Sequence, residues 1–125
     1  MVVSCFGLLA VVTAPVNAQS DTCADLKKDI IEMKADLDEY KKARGLDPDT
    51  RSGLMREVAE IRKDLQEYLS DPKSDRNEKS KASDGLRLLS ELEDGVTKGE
   101  IARVVSSYAK IIEVYEWFYE DEDCD

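Results

Sequence analysis

From Cys23 onward, apolar side chains recur at Cys23, Leu26, Ile30, Met33, Leu37 and Tyr40. Alternating steps of three and four residues put them on one narrow face of an α-helix, the seam of a heptad pattern. The spacing predicts a helix over residues 22–44. Ser20 or Asp21 stands where a cap is needed, and Gly45 where a left-handed residue would end the helix. Lys41, Lys42 and Arg44 fall in its last turn, where the helix dipole favours cations. A second seam, Leu54, Val58, Ile61, Leu65 and Tyr68, follows the turn signal Asp47-Pro48-Asp49 and stops before Asp71-Pro72. The two stretches read as an antiparallel helical hairpin with matched seams.

Residues 70–84 are almost entirely polar, with Ala82 the exception. They read either as a long loop or as the solvated first half of a third helix. The packed part of that helix is Leu86, Leu89 and Leu92, ending near Asp94-Gly95, and Gly85 blurs its start. The fourth stretch carries a broad stripe: Ile101, Val104, Val105, Tyr108, Ile111, Ile112, Tyr115, Phe118 and Tyr119. Thr97 and Glu100 read as its capping box. Short connections favour antiparallel neighbours. The prediction is therefore an all-α fold: a small antiparallel bundle of four helices, up-down-up-down, with the third short or partly loop and the fourth the most buried.

The first 18 residues stand apart. Residues 2–13 are apolar or small, Pro15 breaks the run, and Val16-Asn17-Ala18 offers small residues at cleavage spacing. This reads as a secretory signal peptide over residues 1–18, the apolar run being shorter than the roughly 20 residues a spanning helix needs. Cys5 falls inside that leader. Residues 19–125 then form one domain with an acidic tail from about Glu120, placed in the extracellular space or a bacterial periplasm. The two remaining cysteines, Cys23 and Cys124, sit at opposite extremes of this domain and read as a disulfide. An up-down-up-down bundle brings those extremes together.

The chain has 125 residues, with 28 Asp and Glu against 18 Lys and Arg, for a net charge of −10. A hydrophobic share of 42% is too high for a disordered acidic chain. The acidic balance argues against nucleic acid and anionic membrane, both of which require cationic surface. It suits a basic protein partner.

Candidate chemistry is scarce. There is no histidine, which removes histidine-based triads and the Glu-x-x-His pairs of di-metal bundles. Structural zinc needs more than two cysteines. Asp47-Pro48-Asp49-Thr50-Arg51-Ser52-Gly53 superficially suggests a calcium loop, but Arg51 or Pro48 occupies a ligand position in either register and no glutamate closes it. Carboxylate-only catalysis needs two acids flanking a cleft, and here the acids fall at exposed helix positions. No catalytic residue, metal or cofactor is expected. Trp117 lies off the main stripe of the fourth helix, beside Val114. Together with Tyr115 and Tyr119 these form the candidate partner contact. The expected function is that of a secreted, non-enzymatic helical protein that binds a protein partner, as inhibitors and effectors do. The alternatives are a structural protein self-associating through its heptads, between monomer and weak homo-oligomer, and a carrier of a small apolar ligand in the bundle core.

Overall fold

A computed structural model describes the backbone of residues 14–124, with side chains from residue 22. The first 13 residues of the expected leader, Cys5 among them, lie outside the described residues. Four helices follow in order: α1 (Ala14–Lys42), α2 (Pro48–Ser70), α3 (Arg76–Lys98) and α4 (Ile101–Asp121). They form an antiparallel bundle, and a disulfide joins Cys23 on α1 to Cys124 just past α4, with their Cα atoms 5.6 Å apart.

Local chemistry sets the helix ends. The Asp47 side chain accepts from the Thr50 N–H at 2.7 Å, and Pro48 begins α2 where its missing N–H has no partner to lose. Of the two readings of residues 70–84, the helical one holds from Arg76. Asp75 and Glu78 form a reciprocal capping box: Asp75 accepts from the Glu78 N–H at 2.8 Å and Glu78 accepts from the Asp75 N–H at 2.9 Å. The expected box at Thr97 and Glu100 does not form. α3 runs past Asp94-Gly95 to Lys98, so Thr97 is intrahelical and its hydroxyl donates to the Glu93 carbonyl. Gly99 then turns the chain with φ of 69°, and Glu100 caps α4 with backbone alone. Gly45 does not play that part for α1, which ends at Lys42; Gly99 is the left-handed glycine among the described residues. Neither Ser20 nor Asp21 caps α1, whose helical backbone runs through both.

The seams are buried as the periodicity predicts: Leu26, Ile30, Met33 and Leu37 on α1, and Leu54, Val58, Ile61 and Leu65 on α2. They do not pair with each other as a hairpin. α1 packs on α4, α4 on α3 and α3 on α2, whereas no Cα atom of α1 lies within 8 Å of one on α2. The broad stripe of α4 is the cause. Val104, Tyr108, Ile111, Ile112, Val114, Tyr115 and Phe118 are all buried, which gives α4 enough apolar surface for a helix on either flank. Gly85 allows the α2–α3 approach: a Cβ there would stand 2.9 Å from Leu65 Cδ1. The ion pairs between helices follow the same order. Lys34–Glu116 joins α1 to α4, Arg103–Asp94 joins α4 to α3, and Arg62–Glu93 joins α3 to α2. Among the described residues no ion pair spans α1 and α2.

Candidate functional site

The missing contact leaves a groove along the α1–α2 side. Two adjoining cavities of about 710 and 340 Å³ run through it and share Asp29, Asp64 and Tyr115. On α1 the lining runs from Thr22 to Tyr40. At 1.5 Å per residue that is about 27 Å of helix. Asp25, Asp29, Glu32 and Asp36 line one wall and Glu57, Glu60, Asp64 and Glu67 the other. On each helix these positions are three or four residues apart, so each wall carries a carboxylate at every turn. Lys28 is the cation among the lining residues. None of the ion pairs among the described residues engages these wall carboxylates.

Beneath the walls the groove meets the closed core: Leu26, Met33, Ile61, Leu65, Tyr115 and Phe118 line it at 7% exposure or less. Tyrosines tie core to wall. Tyr115 sends its hydroxyl from α4 to Asp64 on α2 at 3.0 Å. Glu57 accepts from Tyr40 at 3.3 Å and also from Tyr108, whose rings meet edge to face with centroids 5.3 Å apart. Tyr68 stacks on Phe118, centroids 4.0 Å apart.

Crowding of like charge over the closed core shifts the titrations. Burial, then the neighbouring Asp64, Glu32 and Asp25, hold the Asp29 carboxyl above its ordinary range. Asp36 rises through burial and the nearby Glu39 and Glu32. Burial also raises Glu57 and Asp64, and outweighs the tyrosine hydrogen bonds that favour their ionised forms. Tyr108 and Tyr115 are pushed up by burial together with the carboxylates they bond, so both remain protonated donors.

The four residues expected as a partner contact do not form one surface. Val114 and Tyr115 belong to the core, at 5% and 4% exposure. Trp117 and Tyr119 are half-buried. Trp117 lies in an α3–α4 cleft, edge-on to Phe118 with centroids 5.2 Å apart, and Lys81 sits 5.4 Å from its ring. Its flank position beside Val114 is as the helical spacing implies, but the ring is held by α3. What the pattern missed are the wall carboxylates, which flank the seams and read as solvated faces. Their sequence signal was an acid at every turn beside both seams.

Elsewhere, carboxylate oxygens of Asp75, Glu78 and Asp121 come within 4.8 Å of one another at the end of the bundle. Asp75 and Glu78 already serve the capping box there. No helix of the described residues is long and apolar enough to cross a membrane.

These features define a class: a four-helix bundle closed by a disulfide between its ends, with one open face walled by acids. Comparisons with protein-family models, curated proteins and solved structures give no match to this chain.

Proposed function

We propose that this chain is an exported, non-enzymatic helical module that binds a basic protein partner through the α1–α2 groove. One observation carries the reading. Inter-helix ion pairs bridge the three packed helix interfaces, while no ion pair among the described residues engages the carboxylates on the open side. Two facing rows of carboxylates steer and orient a partner of opposite sign. Export is supported by the apolar leader and by the disulfide, which persists in oxidising compartments. The absence of histidine removes histidine-based chemistry, and tyrosine hydroxyls occupy Glu57 and Asp64.

Neither alternative gains support from the geometry. The heptad seams are buried within the chain, so self-association through them would require α1 or α2 to leave its own bundle. The groove is open and acidic, a poor host for a small apolar ligand, which favours enclosed apolar cavities.

A photo-crosslinking amino acid at Glu60, on the groove rim, should capture a basic protein from the fluid into which the chain is exported. The same group at Glu91, an exposed position on α3, should not. Equal capture from both positions, or capture from Glu91 alone, would place the binding surface elsewhere.

A further inference from the structure

We propose that the groove holds an acid-operated clasp: Asp29 with Asp64, and Asp36 with Glu57, each share one proton taken from solvent and so lock α1 to α2. The clasp needs no partner. Its parts are in register. Asp29 and Asp36 on α1, Glu57 and Asp64 on α2, and Tyr108 and Tyr115 on α4 are pairs seven residues apart. Seven residues are about two helical turns, so the three helices together place two rungs about 10 Å apart. In one rung Tyr115 donates to Asp64, and in the other Tyr108 and Tyr40 donate to Glu57. The four rung carboxyls line the same cavity between α1 and α2. They are also the half-buried members of the two walls, whereas Asp25, Glu32, Glu60 and Glu67 are exposed.

Two half-buried carboxylates that face each other repel when both are ionised. One proton between them replaces that repulsion with a short, charge-assisted hydrogen bond. The surroundings offer little other relief. Asp29 meets Asp64 from α2, Tyr115 from α4, and Glu32, Asp25 and Lys28 on its own helix. Asp64 meets Tyr115, with Glu67, Glu60 and Lys63 beside it. Asp36 meets Glu57 from α2 and Tyr108 from α4, with Glu39 and Glu32 beside it, and Glu57 meets Tyr108, Asp36, Tyr40 and Glu60. Lys28 and Lys63 are the cations in this company, and both are exposed. Asp36 and Glu57 are close enough for a protonated Glu57 to donate to the Asp36 carboxylate. Burial first, then like charge, raises all four carboxyls above their ordinary range. Docked α1 therefore holds more protons than undocked α1, and docking strengthens as pH falls through that window.

Native-state hydrogen exchange on the oxidised chain tests this, read as the protection of α1 amides 30–37 relative to α3 amides 89–92. Between about pH 7 and about pH 5 that ratio should rise about tenfold, the effect of one carboxyl titrating a full pH unit higher docked than undocked. Asp29→Asn with Asp36→Asn puts an uncharged amide donor in each rung. The ratio should then stand near its acid value already at neutral pH and stay flat. Asp38→Asn with Glu91→Gln removes the same charge at exposed positions outside the groove and should leave the rise intact. Carboxyl-carbon NMR of the unsubstituted chain gives a second reading that no folding defect can obscure. Asp29 with Asp64, and Asp36 with Glu57, should titrate as coupled pairs in two steps, while Asp25 and Glu60 titrate singly. A ratio that does not rise in acid, a rise abolished equally by both variant pairs, or four rung carboxyls that titrate singly would overturn the proposal.

Discussion

Replacing both Cys23 and Cys124 with serine removes the covalent link between the start of α1 and the end of α4. The two residues are 101 positions apart. In the chain-entropy treatment, releasing a loop of that length returns about 4.7 kcal/mol of conformational freedom to the unfolded chain at 25 °C. Both cysteines are half-buried, so serine opens no sealed core position. Ordinary domains are stable by about 5–15 kcal/mol, so the loss is a third or more of the total. Guanidinium unfolding followed by far-ultraviolet circular dichroism would measure it on the oxidised chain, the reduced chain and Cys23→Ser/Cys124→Ser. The reduced and double-serine proteins should agree, lose about 3–5 kcal/mol, and unfold with a steeper denaturant dependence as the unfolded chain expands. A loss under about 1 kcal/mol with an unchanged slope would refute the reasoning, because the link would then not be restricting the unfolded ensemble.

Stability should rise as the pH falls from neutral. The carboxyls of Asp29, Asp36, Glu57 and Asp64 are raised in the fold, so the native state binds more protons than the unfolded chain between their ordinary and raised values. Unfolding free energy therefore falls with rising pH through that window. Below it the trend reverses, because Asp47 and Asp94 are held low by the Thr50 backbone hydrogen bond and by Lys98 and Arg103, and protonating them destabilises the fold. Thermal melts should show a maximum on the acidic side of neutrality; a melting temperature dropping steadily from pH 7 would contradict this. Tyr108→Phe removes a donor to the part-buried Glu57 on the groove wall, and denaturant titration should register a loss of about 1.5–3 kcal/mol, the range for hydrogen bonds to charged groups. Asp75→Ala breaks the capping box of α3 and should cost about 1 kcal/mol, with amide exchange accelerated in the first turn from Arg76 and unchanged near Leu89.

Burial was legible in the sequence wherever it is periodic. The seams of α1 and α2 and the stripe of α4 follow from spacing, because one helical face is all that spacing encodes. Which helix a seam meets is a different question. α1 and α2 have matched seams and a short connection, and a hairpin would satisfy both. The answer lay in the width of the α4 stripe, which spans more than one neighbour. The end of α3 was misread for a local reason. Thr97-x-x-Glu100 has the pattern of a capping box, but Gly99 lies inside it and takes the left-handed conformation that ends the preceding helix. The true box, Asp75-x-x-Glu78, sat in the polar stretch where little apolar periodicity drew attention. The wall carboxylates could be counted in the sequence, but their facing one another across a groove depends on two helices whose backbones stay more than 8 Å apart.

The packing order has a consequence for how the chain folds. α2, α3 and α4 are consecutive and each packs on the next, so their association closes only short stretches of chain and is entropically inexpensive. α1 must instead reach across two helices to find α4, its one packed helical neighbour. The last three helices should therefore fold as a unit of local contacts, with α1 docking later and showing the least protection in native-state hydrogen exchange. A docked element of this kind can vary its outward residues without disturbing the three-helix unit beneath. The charge pattern facing the groove from α1 is thus free to change one residue at a time while the scaffold stays fixed.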